Sequence, residues 1–372
     1  MLAAVRAVVS AITRADARSI EFTAVVEGET TPRRALAYPS LTGSVVVGDT
    51  VTLNTTATEL NLGTGGVDFV VAVENQALPA AFGEPAGDEH IIKLRYTPLQ
   101  HAVCTPEMDP AYAGTWEMAN TLLQCPVVVC GLHSQIAPVA GGVKAARPDV
   151  RIAYVWTDSA ALPLAFSQLV RTLKEAGLID VTLTAGQAFG GDYECVSDAS
   201  ALLAARWVAR ADVVIVAPGP GNAGTGTRFG FSGVEQGQLL DLAGRLWGTP
   251  IGVLRLSLAD KRDRHFGLSH HSVTSLGLLA HAPAIVAWPT QPAGVSAKMY
   301  RDLQETFENS PIGALHTLQT ADCAPGMALL AERGVEVKSM GRTAAQDPLF
   351  FLAAAAAGAI AAEKVRARPA GG

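Results

Sequence analysis

The sequence predicts an α/β protein of Rossmann-like type, with a doubly wound, mainly parallel sheet, carrying a small all-β barrel-like domain at its N-terminus. Three observations predict it. The apolar runs of the first part are rich in Val and Thr and are broken by Gly-Asp and Gly-Gly, the pattern of strands joined by tight turns. After that, short apolar runs alternate with longer segments at helical spacing, the pattern of βα units. Those later runs are apolar at nearly every position, which suits a parallel sheet covered on both faces.

The β domain is expected over residues 1–98. Its strands lie in "SIEFTAVVEG", "RRALAYPSLTGSVVVGDTVTLNTTA" and "VDFVVAVEN", and "GSVVVGDTVTLN" reads as a strand–turn–strand unit of a small closed barrel. The Pro- and Gly-containing stretch "ALPAAFGEPAGDEH" separates the last two strands. The α/β domain is expected over residues 99–372. Its strands are "PVVVCGL", "VRIAYVWT", "DVTLTA", "ADVVIVA", "PIGVLRLS" and "PAIVAWP", followed by "IGALHTL" and "GVEVKSM". "PLAFSQLVRTLKEAGL", "DASALLAARWVARA" and "GQLLDLAGRLWG" lie between them as helices. Gly177 suits the C-cap of the first, and Asp198 the N-cap of the second. Up to eight such units admit a closed barrel as the alternative to the open sheet.

Composition narrows the function classes. Of 372 residues, 49% are hydrophobic and 17% charged, a folded composition and not a disordered one. The net charge of −6, with no block of like charge, gives no reason to expect nucleic acid or an anionic membrane as partner. Cys104, Cys125, Cys130, Cys195 and Cys323 are scattered and form no CxxC pair. They read as reduced, mostly buried thiols of a cytoplasmic protein. "MLAAVRAVVSAITRADARS" is interrupted by Arg6, Arg14, Asp16 and Arg18 and is not read as a signal peptide. "LFFLAAAAAGAIAA" reads as a helix, shorter than the about 20 apolar residues that span a bilayer.

In either α/β architecture, ligands sit at the carboxyl ends of the strands. The residues that follow each run are therefore the candidates: His133 and Ser134, Asp158 and Ser159, then Asp192 and Glu194 in "GQAFGGDYE", "GPGNAGTGT", Arg255 with "LADKRDRHFGLSHHS", and His316.

"GPGNAGTGT" contains Gly219, Gly221 and Gly224 at GxGxxG spacing. A dinucleotide fingerprint needs a helix at once and an acid about 20 residues on. Here residues 229–233 delay the helix and the next strand offers Arg255. No Walker lysine follows. What remains is physical: Gly219, Gly221, Gly224 and Gly226 let backbone approach an anion, and Thr225 and Thr227 add hydroxyls. The alternative is a turn whose glycines supply positive φ.

"DKRDRHFGLSHHS" gathers His265, His270 and His271 with Arg262 and Arg264. A metal reading would take His265 and one of the later pair with Asp158, Asp192 or Asp263. Against it, Ser269 reads as an N-cap, so His270 and His271 would begin a helix and diverge. The alternatives are acid–base work by His265 or His270 with Arg255 and Arg264 on an anionic substrate, or a solvated loop. Asp158 and Asp192 would position a water or Mg2+, although for Asp158 alone a helix cap is the better reading. Ser159 lacks the GxSxG elbow.

Several stretches together, "YPSLTGSVVVGDTVTLNTTATELNLGTGG", "KLRYTPLQ", "TDSAALPLAFS", "AFGGDYE", "GPGNAGTGTRFGFSG" and "RDRHFGLSHHSVTSLG", resemble the bacterial domain of unknown function 3866 family, found mainly in actinobacteria and firmicutes. The resemblance spans nearly the whole chain and brings no activity or catalytic residue to carry over. The residues themselves point to an enzyme acting on a small anionic substrate, phosphorylated or nucleotide-like. The competing reading is a non-catalytic nucleotide or metabolite sensor or assembly module. A homodimer is expected for a soluble enzyme.

Overall fold

In the computed structural model, which describes residues 2–62, 65–74 and 91–366, the chain divides into two compact units, Met1–Cys104 and Thr105–Gly372. The first is built from alternation. In the strand Ile20–Val26, Ile20, Phe22, Ala24 and Val26 are buried while the residues between are half-buried. Such a period of two puts one face on a core. Five strands, β1 (Ala4–Ala15), β2 (Ile20–Val26), β3 (Arg33–Ala37), β4 (Thr50–Asn54) and β5 (Asp68–Val73), close into a barrel in the order β1-β2-β3-β5-β4, with β4 returning to β1. Only β3 and β5 run parallel. β1 serves both β2 and β4, and two register shifts along its pairing with β2 bend it enough to do so. The hairpin β6 (Ile91–Lys93) and β7 (His101–Val103) pairs separately.

One part of the expected barrel is different. In "GSVVVGDTVTLN" only Thr50–Asn54 is a strand. Pro39 starts a single helical turn, Pro39–Thr42, its fixed φ suiting the first helical position. The chain then runs irregularly, with Val45 buried and Val46 and Val47 exposed. The stretch 77–90 lies outside the described residues.

The second unit holds an eight-stranded sheet. Its strands are β8 (Pro126–Val129), β9 (Ile152–Thr157), β10 (Val181–Thr184), β11 (Tyr193–Glu194), β12 (Val213–Pro218), β13 (Thr249–Gly252), β16 (Ile285–Pro289) and β17 (Thr317–Ala321). They lie in the order β11-β10-β9-β12-β8-β13-β16-β17, and every neighbouring pair is parallel. The sheet is open, so the closed-barrel alternative falls. Two small antiparallel pairs lie outside it, β14 (Leu256–Ser257) with β15 (Gly267–Leu268), and β18 (Lys338–Ser339) with β19 (Arg342–Thr343).

Continuous apolar runs are buried on both faces, as expected. Ile152, Tyr154 and Trp156 join one core with Val128, Ile215 and the helices Ile136–Ala146 and Pro348–Lys364. Ala153 and Val155 join the opposite core with Val127, Val216 and the helices Asp198–Trp207 and Glu235–Arg245. The alanine-rich helix Pro348–Lys364 is buried along most of its length. It lies so close to Ile136–Ala146 that a Cβ on Gly142 would strike the Ala355 carbonyl, and one on Gly358 the Val139 carbonyl. Among the described residues no helix is long and apolar enough to cross a membrane.

Several local expectations shift. Helix Gln168–Glu175 ends with Gly177 at φ +67°, as its glycine predicts. The next helix is capped by Ser197, one residue before Asp198, because the Ser197 hydroxyl accepts from the Ser200 N–H. Asp198 takes the first helical position, where an acid is also favoured. In "IGALHTL", Pro311–Leu315 is helical and the strand begins only at Thr317. "GVEVKSM" contributes β18 to a hairpin and nothing to the main sheet.

The path of the chain decides where a site can form. After β8 the chain places β9, β10 and β11 outward on one side. β12 then returns between β9 and β8, and β13, β16 and β17 extend the other side. The reversal lies at β12-β8-β13, and such a switch point leaves a crevice outside the carboxyl ends of the strands.

Candidate active-site cleft

A cleft of about 510 Å³ lies at that reversal. The segments after β8, β12 and β13 all reach it: Leu132, His133 and Ser134, then the glycine loop from Gly219 to Gly226, then Arg255. Arg262, Arg264, His265 and His271 form a second wall, and Lys338, Ser339 and Met340 of the β18–β19 hairpin a third.

Two buried glutamines hold the strand ends beneath it. Gln135 Oε1 accepts from the N–H groups of Gly131 and Leu132, at 3.0 and 3.1 Å, and its Nε2 donates to the Leu254 carbonyl. Gln236 Nε2 donates to the carbonyls of Val129 and Val253, at 3.0 and 2.8 Å. These bonds satisfy backbone groups that a loop leaving a buried sheet would otherwise leave orphaned.

The glycine loop is tied on every side. Asn222 Nδ2 donates to the Gly131 carbonyl at 3.0 Å. The Thr225 N–H donates to Gly230 O at 2.7 Å, and Ser232 N–H to Ala223 O at 2.9 Å. Gly219 lies against the Trp156 ring, where a Cβ has no room, and Gly221 and Gly226 have φ of +90° and +82°. Thus part of the glycine content is a conformational need. The Thr225 and Thr227 hydroxyls bond each other at 2.9 Å, and the first also donates to Gly230 O. They brace the loop and do not line the cleft.

Arg264 joins the two walls, donating to Gly226 O at 3.3 Å, and the Phe231 ring stacks on His271 at 3.8 Å between centroids. Buried Asp260 is shared by Arg255, Arg262 and Arg342, at 3.1, 2.8 and 3.3 Å. Hydrogen bonding from Arg262 holds its carboxyl well below the usual range. Burial and the neighbouring Arg262 lower Arg255 to about 10, still a cation at neutral pH. Among the described residues, the lining carries Arg255, Arg262, Arg264 and Lys338 and no carboxylate.

Four histidines stand here. His133 Nδ1–H donates to Pro218 O at 3.2 Å and Nε2 meets the Ser167 hydroxyl at 2.8 Å. Burial pushes this ring down to about 4. His265, His270 and His271 crowd together, with centroids 4.8, 4.7 and 4.4 Å apart. Burial, with nearby Arg255, lowers His265 and His271 to about 3, and burial also lowers His270. The three rings are therefore neutral, with lone pairs available. The expected divergence of His270 from His271 does not occur. Ser269 is the N-cap and accepts from the His271 N–H. Successive Cα atoms are only about 3.8 Å apart, so two long side chains at a helix start still bring their rings into contact.

The expected site residues thus separate. Gly219, Gly221, Gly224, Gly226, Arg255, Arg264 and His265 line the cleft, while His270 stands behind it against the other two rings. Asp158 and Asp192 do not line it. Asp158 Oδ2 accepts from the Gln187 N–H at 2.8 Å. It caps that loop and not the following helix, which starts from Ser167. Asp192 holds the sheet edge, accepting from Lys174, the Thr182 N–H and the Thr182 hydroxyl. His316 precedes β17 instead of ending a strand. Its ring is buried between Ala284 N–H and the Leu276 carbonyl.

Sequence reasoning missed the Lys338–Met340 wall, the two glutamines and Glu235. The Glu235 carboxyl bonds the Thr157 hydroxyl at 2.7 Å, at the end of β9. Burial, with Asp198 and Asp158 nearby, raises it to about 7 despite its bond to Thr157. Glu235 follows the short turn Ser232–Val234 and begins a helix, and no motif around it would have singled it out.

A family model described as a protein of unknown function (DUF3866) matches residues 34–358. No curated protein and no solved structure matches the chain. The match leaves out barrel strands β1 and β2 but takes in β3 to β5, the whole eight-stranded sheet and every wall of the cleft, and the chain belongs to that DUF3866 family.

Proposed function

We propose that this protein is an enzyme acting on a small anionic substrate, phosphorylated or nucleotide-like, held at the carboxyl edge of the parallel sheet. One observation carries the reading: among the described residues, four cationic side chains and no carboxylate line a cleft at the point where the sheet reverses. Hydrogen bonds to charged groups are worth about 1.5–3 kcal/mol each, so two or three arginines give a phosphate useful affinity. The glycine loop lets the ligand approach backbone, and His265 and His271 offer reactive nitrogens in the same space.

The test is a thermal-shift panel of inorganic phosphate, phosphorylated metabolites and nucleotides. A ligand at about 100 times its dissociation constant should stabilise by about 2.7 kcal/mol. Arg264→Ala should weaken it about 10- to 100-fold. A flat panel, or equal binding by Arg264→Ala and Lys338→Ala chains, sinks the reading. A sensor without chemistry is the second reading, favoured by the lack of any carboxylate in the lining to serve as base. Once a ligand is found, His265→Ala separates them: a sensor keeps its affinity, whereas an enzyme loses turnover.

A further inference from the structure

The histidines do more than border the cleft. One nitrogen from each of His265, His270 and His271 lies within 4.8 Å of the others. Two of the rings are fixed by neighbours. His265 Nδ1 is 2.7 Å from Ser269 Oγ, so with Nδ1–H donating there the Nε2 lone pair is the one left over. His271 lies flat on Phe231, with ring planes 3° apart. His270 supplies the telling atom. Its Nε2 is buried and has no hydrogen-bond partner among the described residues. A buried polar atom left so is costly and asks for a partner the protein chain does not supply. Directly after the pair the backbone widens into a π-helix, Val273–Leu279, a rare form concentrated at functional sites.

We infer that His265, His270 and His271 form a three-histidine site for a divalent transition ion of the zinc type. Imidazole suits such ions, and three histidines with an open position is a catalytic zinc pattern. A bonded tetrahedral set needs nitrogens about 3.3 Å apart, from metal–nitrogen bonds of about 2.0–2.1 Å, so the rings close by up to about 1.5 Å on binding. Ser269 is then the outer partner that orients His265.

The trio stands between two spaces. His265 and His271 face the cationic cleft, and His270 borders a second cavity with Arg264 and Asp263. Arginines beside a dication raise its energy. An anion bound between them lowers it, so metal and anion should each strengthen the other's binding, by the same factor. The metal site itself does not rest on the anion reading, because it is tested with the metal alone.

The experiment is a Co2+ and Zn2+ titration of the chelator-treated full chain in phosphate-free buffer. Expected are one ion per chain by elemental analysis, a saturable Co2+ visible spectrum, and a raised melting temperature. His270→Ala and His265→Ala should each weaken the ion at least 100-fold, while exposed His281→Ala leaves it unchanged. Equal melting of variant and wild type in chelator shows that a lost site is not a lost fold. His270→Gln, the conservative replacement, covers the case in which the alanine chain does not fold. No saturable binding by the wild type, or undiminished binding by the folded variants, overturns the site. Repeating the titration with phosphate reads the coupling: a tighter ion supports it and an unchanged one removes it, leaving the site's own result intact.

Discussion

Glu235 shows how little a single residue's position in the sequence says about its charge. It opens a helix, where the macrodipole favours a negative side chain. Burial, together with Asp198 and Asp158, outweighs that and holds its proton to about 7, against 4.5 for a free glutamate. Between those values the folded chain binds the proton and the unfolded chain does not. Glu235 therefore favours folding fully below about pH 4.5, and that contribution drains away as the pH rises to about 7, roughly 3 kcal/mol in all. In Glu235→Gln, urea melts should lose this fall, so the gap between variant and wild type should widen in the variant's favour from pH 5 to 7. A constant gap would show that the carboxyl ionises normally. The same residue explains a failure of reading. Asp158 and Asp192 stood out in sequence because they follow strands, yet their oxygens fasten Gln187, Thr182 and Lys174. Proximity to a strand end is legible. The direction of a carboxylate is not, because it depends on which backbone N–H groups the loop leaves open.

At the scale of elements, two glycines in helices predict opposite outcomes. Gly142 faces the Ala355 carbonyl with no room for a Cβ, whereas a Cβ on Gly244 would rest 3.7 Å from Pro250 Cγ. Replacing a mid-helix glycine by alanine gains about 0.5–1 kcal/mol in helix propensity. Overpacking costs about 1–3 kcal/mol and wins where the obstacle is backbone. Gly142→Ala should lower stability by about 1–2 kcal/mol and Gly244→Ala should raise it by up to about 1. Denaturant midpoints measure both, and a gain at Gly142 would refute the close approach. Elements were the most legible level of this chain. Unbroken runs such as "ADVVIVA" gave the parallel strands and Gly177 gave a helix end. The errors fell where tertiary pairing overrides local pattern. "GSVVV" has the composition of a strand, yet only Val45 of its valines is buried, and His316 sits at the start of a strand whose apolar run begins in a helix.

The whole molecule divides, and the site belongs to one part. Every residue lining the cleft falls between Leu132 and Met340, inside the unit Thr105–Gly372. A chain begun at Thr105 should fold cooperatively and keep the phosphate affinity of the full protein within about twofold, the usual spread for independent sites. Calorimetry of the fragment decides it; a molten or aggregating fragment would show that the barrel is needed for folding. The site as a constellation was only half legible for a related reason. "GPGNAGTGT" and "RDRHFGLSHH" are dense enough to be noticed, and their common cleft follows from parallel strands. Lys338 and Met340 arrive on a hairpin that no periodicity connects to the sheet. That late hairpin has a consequence for synthesis. Leu132 leaves the ribosome about 200 residues before Met340, a lag of roughly 10–40 s at about 5–20 residues per second. In the later part of that interval Arg255 and Arg262 have been made without the Arg342 that shares their aspartate, and a wall of the cleft is missing. The cleft with all three of its walls therefore exists only once the hairpin Lys338–Thr343 has been made, after the sheet that carries the other two.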